Sequence, residues 1–334
     1  MTDKTHSDKH QRASQWARTR ERGSYQAMRL LVFVYRYGGN LLLSPVLYCV
    51  VSYFFVTRRA TRRYSRLYLE RAMPGRITRW DLWRHQMAFA RALMYRIRAW
   101  MGKVPEADVD FPQRPELHAM KKRGQGVLFL GAHLGNLDMF RAMVKPGESF
   151  VLNILVHTRH ARKFNRLLHR INPQTRVNLL QVDQITPETA MLLRSKLDDG
   201  EAVVLLADRV PSGTESRHYT TEFLGCQARF PLGPFWLAVL LKVPVFFMTS
   251  VYTGSGYKVV VEPLLQDSPP VSRRERASAA QELFNAYVAQ LEQLCRRYPL
   301  QWFNFYDFWL DDSDSSTDNN SHSRPEKNHR STLH

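Results

Sequence analysis

The segment formed by residues 127–140 constrains the fold of this chain more than any other. It begins with four consecutive apolar residues, which have the length and composition of a buried strand. A glycine-containing turn follows at residues 131–132, and then come His133 and Asp138, with four residues between them. Two residues five positions apart point to different sides of a regular helix, and they also point to opposite faces of a regular strand. Neither element alone would let the imidazole and the carboxylate meet. We therefore predict a strand that breaks at His133 and restarts as a helix.

The residues between His133 and Asp138 have the composition of a helix start. Asn136 suits the N-cap position, and Asp138 then falls in the first turn, where the helix dipole favours a carboxylate. A histidine at the end of a strand, held by an acid, is the arrangement of a general base and its orienting group. The spacing alone also fits a turn histidine with an unrelated surface aspartate, because a chain with 12 His and 30 Asp and Glu contains about one such match by chance.

From about residue 105 the chain alternates between apolar segments typical of strands and segments with helical periodicity. This alternation predicts an α/β fold, with a mixed, mostly parallel sheet that is flanked by helices. The predicted strands are residues 127–130, 150–156, 177–182, 203–206, 243–251 and 257–261. The predicted helices are residues 137–144, 159–171, 187–199, 234–241 and 274–298.

A second polar pair follows one of the predicted strands. Asp208 and Arg209 come directly after the apolar run at residues 203–207. Sites in sheets of this kind form beyond the carboxyl ends of the strands, so we expect this pair on the same edge as His133. The alternative is a local ion pair that caps the end of the strand.

The positive charge of the chain is concentrated in its first third. Residues 1–103 hold 21 Lys and Arg against 5 Asp and Glu, whereas the remainder holds 27 against 25. An apolar tract lies at residues 30–57, but its uninterrupted part, residues 41–56, is slightly shorter than the ~20 residues that span a bilayer. Because residues 1–29 and 58–104 are both basic, we predict that the tract is a membrane anchor (a hairpin, an interfacial segment or a span) rather than a buried core helix.

The regions on either side of the predicted α/β domain differ in character. Residues 58–104 combine arginine with tryptophan and tyrosine, which indicates a helical region at an anionic membrane surface. Nucleic acid could bind the same composition, although the adjacent apolar tract favours membrane. Residues 311–334 contain one apolar residue and are predicted to form a disordered tail. Three widely spaced cysteines and the lack of metal and nucleotide motifs predict no metal and no cofactor.

Several segments together resemble a known family. Residues 131–138, GAHLGNLD, resemble the H-x4-D/E block of the lysophospholipid acyltransferase superfamily, and more particularly of the bacterial late acyltransferases of lipid A biosynthesis, including their aryl polyene pathway relatives. Three further segments agree: Asp208-Arg209, residues 223–234 and residues 298–305. The match runs from about residue 25 to residue 310, and it departs at Asp138, where the lipid A enzymes usually carry Glu.

The resemblance implies a glycerolphosphate acyltransferase-like fold for residues 105–310 and a location on the cytoplasmic face of the bacterial inner membrane. His133 would deprotonate a hydroxyl of a lipid or glycolipid, which then attacks an acyl thioester, while Asp138 orients the imidazole. The donor of the fatty or polyene acyl group would be an acyl carrier protein or coenzyme A. Arg209 or N–H groups near Gly135 would stabilise the oxyanion. The residues assigned to substrate binding are Gly135, Asn136, Arg159, Asp208 and Arg209.

The predicted helix at residues 159–171 has a basic face beside an apolar face. The basic face holds Arg159, Arg162, Lys163, Arg166 and Arg170. It is either an ordinary solvated face or a dock for an acidic partner, and the resemblance favours an acyl carrier protein. We expect the protein to be a monomer that contacts membrane lipids and does not bind nucleic acid. The alternative, a non-catalytic basic protein of membrane surfaces or nucleic acid, leaves the α/β domain without a purpose.

Overall fold

A computed structural model describes residues 45–142, 150–156, 177–182, 186–210, 218–265, 272 and 274–309. The chain divides into two units, residues 1–59 and residues 60–334. In the first unit, helix α1 covers residues 45–57. Its exposed apolar side chains are Val46, Tyr48, Val50, Tyr53, Phe54 and Val56. The predicted basic segment at residues 1–29, part of the anchor and the tail at residues 311–334 lie outside the described residues.

The second unit is built on a seven-stranded sheet. Its helices are α2 Arg59–Ala72, α3 Arg79–Trp100, α4 Arg114–Lys122, α5 Asp138–Ala142, α6 Pro187–Asp198, α7 Gly233–Leu241 and α8 Arg276–Arg297, with 3-10 turns at Glu106–Asp108 and Pro299–Gln301. Its strands are β1 Val109–Asp110, β2 Val127–Gly135, β3 Leu152–Val156, β4 Val177–Gln181, β5 Ala202–Leu206, β6 His218–Phe223, β7 Cys226–Pro231, β8 Val245–Tyr252 and β9 Tyr257–Leu265.

The sheet order is β1-β9-β8-β2-β5-β3-β4. The five strands from β8 to β4 are mutually parallel, β9 is antiparallel to β8, and β1 is parallel to β9. Strands β6 and β7 form a separate antiparallel hairpin. The predicted α/β class, with a mixed, mostly parallel sheet flanked by helices, is therefore confirmed.

The structure differs from the predicted elements in β2. Instead of ending at residue 130, β2 stays extended to Gly135, and its register against β8 shifts between Gly131 and Gly135. Gly135 has a φ of +63°, and a Cβ atom there would lie 2.0 Å from the carbonyl oxygen of Ser250. Only glycine fits this close backbone approach without strain. Gly135 thus lets the strand continue through an irregularity, beyond the turn that was predicted at residues 131–132.

Four of the described strands and helices were not predicted, namely β1, α4, β6 and β7. Strand β1 has only two residues, too few for a hydrophobic period, and α4 is a short helix with Leu117 and Met120 as its buried residues. The hairpin of β6 and β7 turns at Leu224 and Gly225, where Leu224 has a φ of +53°. Leucine rarely adopts this conformation, so the turn lacks the Asn-Gly signal that usually reveals a two-residue hairpin.

The two faces of the sheet have separate aromatic cores. On one face Phe140 of α5 packs edge-on against Phe129 of β2, with ring centroids 5.3 Å apart. On the other face α8 contributes Tyr287, whose ring lies 5.4 Å from that of Phe247 on β8. Burying each such side chain stabilises the fold by about 1.5–3 kcal/mol. The central strands are therefore covered on both faces, by α5 on one and by α8 on the other. Within the described ranges, no helix has both the length and the apolar character needed to cross a bilayer.

Candidate active site

The register between β2 and β5 brings two of the predicted site residues together. Gly131 pairs with Leu206, so the positions just beyond this pair lie side by side at the carboxyl edge. Nδ1 of His133 lies 2.8 Å from Oδ1 of Asp208. The backbone N–H of His133 donates to the other oxygen, Oδ2, also at 2.8 Å. The carboxylate of Asp208 therefore holds both the ring and the backbone of His133.

This pairing differs from the predicted one, in which Asp138 orients His133. The Nδ1 hydrogen bond goes to Asp208, while Asp138 accepts a hydrogen bond from Nε1 of Trp100 at 2.8 Å and pairs with Nε of Arg96 at 2.6 Å. The reason is the backbone. Since β2 stays extended past the histidine, it carries the imidazole toward the end of β5, and the start of α5 turns Asp138 toward α3.

Asn136 links β2 to α5 and α3. Its Oδ1 accepts the backbone N–H of Asp138 at 3.3 Å, which caps the start of α5, and Asp138 occupies the first helical turn, both as predicted. Its Nδ2 donates to the carbonyl of Ala92 in α3 at 3.0 Å, and its own N–H donates to the carbonyl of Ser250 at 2.7 Å. Asn136 is 1% exposed. The segment between His133 and Asp138 is thus held on three sides.

Asp208 is fully buried, but its surroundings favour the ionised carboxylate. Burial raises the pKa of this carboxyl, but the charge and hydrogen bonds of His133, together with the charge of Arg209, outweigh burial and lower the pKa to about 2. Oδ2 accepts a further hydrogen bond from Nε1 of Trp302 at 3.1 Å. Three N–H donors therefore compensate the buried charge.

The imidazole of His133 is held on one side and open on the other. Its side chain is 33% exposed. Among the described residues, no polar group bonds Nε2. When the Nδ1–H is donated to Asp208, Nε2 carries the lone pair. A histidine in this state can accept a proton from a hydroxyl group, which is the chemistry of a general base.

The segment after α8 closes over this site. The N–H of Phe303 donates to the carbonyl of His133 at 3.0 Å, and Trp302 forms a β-bridge with Leu134. The guanidinium of Arg209 donates to the carbonyl of Phe303 at 2.8 Å and lies 5.3 Å from the ring centre of Tyr306. Arg209 is therefore fixed beside Asp208, on the edge where the sequence placed it.

Sequence reasoning missed three residues of the site, Trp302, Arg96 and Trp100. Trp302 is in the segment that carried the family resemblance, but a tryptophan near the end of a helix carries no local sign of a carboxylate partner. Arg96 and Trp100 lie in α3, four residues apart, which places both on the helix face that meets Asp138. The sequence shows the four-residue spacing of Arg96 and Trp100, but it does not show that their partner is Asp138.

Other predicted residues remain outside the geometry. Arg159 and the basic face formed by Arg162, Lys163, Arg166 and Arg170 lie outside the described residues. Gly135 and Asn136 lie beside His133 in the chain, and their predicted contact with substrate stays a prediction. In the part of the chain that the structure describes, no group of three or more His, Cys, Asp or Glu is arranged to hold a metal ion.

Comparison with known proteins identifies the family. Residues 83–311, more than half of the chain, match the family described as bacterial lipid A biosynthesis acyltransferase. The matched region includes His133, Asp208 and Trp302. A comparison with curated proteins gives no match. The resemblance seen in the motifs is thereby confirmed, and this chain belongs to the bacterial lipid A biosynthesis acyltransferase family.

Proposed function

We propose that this protein is a membrane-bound O-acyltransferase that moves a fatty or polyene acyl group from a thioester to a hydroxyl of a lipid or glycolipid. Membership of the acyltransferase family supports acyl transfer to a lipid. The observation that carries the mechanism is the pairing of His133 with the buried carboxylate of Asp208 at 2.8 Å. A non-catalytic role in binding membranes or nucleic acid is not favoured by the family match.

In the proposed reaction, Nε2 of His133 removes the proton of the acceptor hydroxyl as its oxygen attacks the thioester carbonyl carbon. Asp208 accepts the Nδ1–H throughout, so that the imidazolium is stabilised and the ring keeps the required tautomer. The tetrahedral intermediate then collapses, the carbon–sulfur bond breaks, and the departing thiolate takes the proton from Nε2. The products are the acyl ester and the free thiol, and His133 is neutral again.

The oxyanion of the tetrahedral intermediate needs donors, and Arg209 is the candidate supported by its position. It lies next to Asp208 in the chain, and its guanidinium carries five N–H groups, of which one is donated to Phe303. N–H groups near Gly135 are the other candidates. A fixed donor aimed at such an oxyanion contributes about 10²–10³ in rate.

Asp138 is proposed to have a supporting role. Its carboxylate joins α5 to α3 through Arg96 and Trp100, and so holds the segment that leads away from His133. An orienting role for Asp138, as the sequence predicts, and an orienting role for Asp208 imply different effects of their Asn variants.

The donor and the location are further parts of the proposal. The donor is an acyl carrier protein or coenzyme A thioester, and the basic face at Arg162, Lys163, Arg166 and Arg170 is proposed to bind the acidic carrier. Arg159 is proposed to bind substrate with Gly135 and Asn136. The enzyme is proposed to act as a monomer on the cytoplasmic face of the inner membrane, without metal or cofactor. The exposed aromatic residues of α1, such as Tyr53 and Phe54, support contact with lipid.

The test is acyl transfer by the purified, lipid-reconstituted protein, with acyl carrier protein and coenzyme A thioesters offered separately and lipid products identified by mass spectrometry. We expect His133→Ala to lower the rate by about 10²–10⁴, which is the usual contribution of a general base. His118→Ala in α4 is the matched control and should keep the wild-type rate. Full activity in His133→Ala would rule out the mechanism.

A further inference from the structure

We propose that Trp302 is a positioning residue, which holds the carboxylate of Asp208 in the orientation that His133 requires. This inference rests on the proposed function, in which His133 is the base. Nε1 of the indole donates to Oδ2 of Asp208 at 3.1 Å, and the same oxygen accepts the backbone N–H of His133. Oδ1 is then directed at Nδ1 of the imidazole. Two donors on Oδ2 define the plane of the carboxylate, and this plane aims Oδ1.

The indole is held rigidly by neighbouring rings. Trp302 is 1% exposed. Its ring makes edge-on contacts with Tyr68 at 5.0 Å, Phe223 at 5.4 Å and Phe308 at 4.9 Å between ring centres. Packing from several directions leaves the side chain little freedom to rotate. The Nε1–H is consequently a fixed donor rather than one that adjusts to the carboxylate.

The backbone of Trp302 is anchored as well. Its carbonyl oxygen accepts a hydrogen bond from Nε2 of His85 at 2.9 Å, and Nδ1 of His85 lies 3.1 Å from Oγ of Ser65. Burial lowers the pKa of His85 to about 4, so this histidine is neutral near pH 7. Trp302 also bridges to Leu134, the residue after His133. The indole N–H of Trp302 is therefore held in place relative to β2, the strand that carries His133.

The charged and titratable groups around Asp208 determine how strongly the indole N–H of Trp302 affects this carboxylate. The titratable and charged groups that face Asp208 are His133, Arg209, Tyr287, Cys295 and Tyr306. Burial and the nearby charge of Asp208 raise the pKa values of Tyr287 and Cys295, which keeps both neutral. Inside a low-dielectric site, a hydrogen bond to a carboxylate is stronger than in water. Removing the indole N–H should leave Oδ2 with less compensation, so that the carboxylate attracts the imidazolium of His133 more strongly.

The experiment compares Trp302→Phe with Trp309→Phe, which is an internally matched control. Trp309 is 8% exposed, its ring lies 6.1 Å from that of Trp302, and its Nε1 donates to the carbonyl of Phe223 rather than to Asp208. Both variants delete a buried indole N–H from the same aromatic cluster. For Trp302→Phe we expect kcat to fall about tenfold, which is 1.4 kcal/mol, with KM within about twofold, because the residue acts on the base rather than on binding.

The pH dependence of kcat separates positioning from packing. In Trp302→Phe the acid limb should move to higher pH, since the carboxylate favours the imidazolium more. In Trp309→Phe the limb and kcat should stay at their wild-type values, even if the melting temperature falls. Equal changes of kcat and of the limb in both variants, or no change in either, would overturn the proposal.

A second variant covers the case in which Trp302→Phe does not fold. Replacement of Trp302 by benzothienylalanine puts sulfur in place of the indole N–H and keeps the shape of the ring. The NMR titration of the His133 ring gives a readout that does not depend on acyl transfer. If the wild-type protein transfers no acyl group, the proposed function fails. If instead benzothienylalanine leaves both the titration and kcat unchanged, the role of Trp302 fails alone.

Discussion

Replacing Asp208 by asparagine tests which of two carboxylates orients the base. Asp208 accepts three N–H donors, from Nδ1 of His133, from the His133 backbone and from Trp302. An asparagine offers one oxygen and one NH2 group, so at least one donor must face another donor. If the oxygen stays on the backbone side, the NH2 group faces Nδ1, and the imidazole proton is driven to Nε2. That tautomer has no lone pair at Nε2 for the acceptor hydroxyl.

The size of the effect follows from this geometry. The equivalent change in a Ser-His-Asp hydrolase, which also installs the wrong tautomer, lowers kcat by ~10⁴. We expect Asp208→Asn to lower kcat by about 10³–10⁴, which is about 4–5.5 kcal/mol of transition-state stabilisation at 1.36 kcal/mol per factor of ten. The assay is steady-state acyl transfer with saturating thioester, read out by mass spectrometry of the lipid product.

Asp138→Asn is the matched comparison. Its carboxylate contacts Arg96, whose side chain is 44% exposed, and Trp100. Because the ion pair is open to solvent on the Arg96 side, it contributes ~1 kcal/mol or less, so activity should fall by about fivefold or less. If Asp138→Asn loses a thousandfold while Asp208→Asn stays within tenfold of wild type, Asp138 is the orienting acid and the reasoning from the structure is refuted.

Two further predictions concern stability and the membrane. His85 is buried and its pKa is lowered from 6.5 to about 4, so the unfolded state binds the proton first and stability should fall by about 3 kcal/mol as the pH drops from about 6.5 through about 4; thermal melts across this range should show a shallower slope in His85→Gln, and an unchanged slope would contradict the assignment. The protein should resist extraction from membranes by high salt, whereas Tyr53→Asp combined with Phe54→Asp in α1 should make it extractable, because salt screens charge but does not weaken apolar contacts. Met191→Asp with Leu192→Asp, on exposed positions of α6, should leave extraction unchanged, and release of the unmodified protein by salt alone would argue against insertion.

The amino-acid sequence by itself predicted the alternation of strands and helices and the edge of the sheet that carries the site. These features are encoded locally. The apolar runs before His133 and before Asp208 each predict a buried strand that ends there. The carboxyl ends of parallel strands lie on a common edge of the sheet, where sites form. The capping role of Asn136 and the place of Asp138 in a first helical turn follow from nearest neighbours in the same way.

Only the tertiary structure decided which side chains meet at that edge. The partner of His133 is 75 residues away in the chain, and Trp302 lies 94 residues beyond Asp208. The sequence favoured Asp138 because it is close in the chain, but a side chain's direction depends on whether the backbone turns or stays extended. Here the backbone stays extended because Gly135 can lie close to the backbone of Ser250. The register of β2 with β5 then places His133 beside Asp208. Register is a property of pairs of strands, and an apolar run that is buried on both faces, such as residues 127–130, does not specify it by alternation.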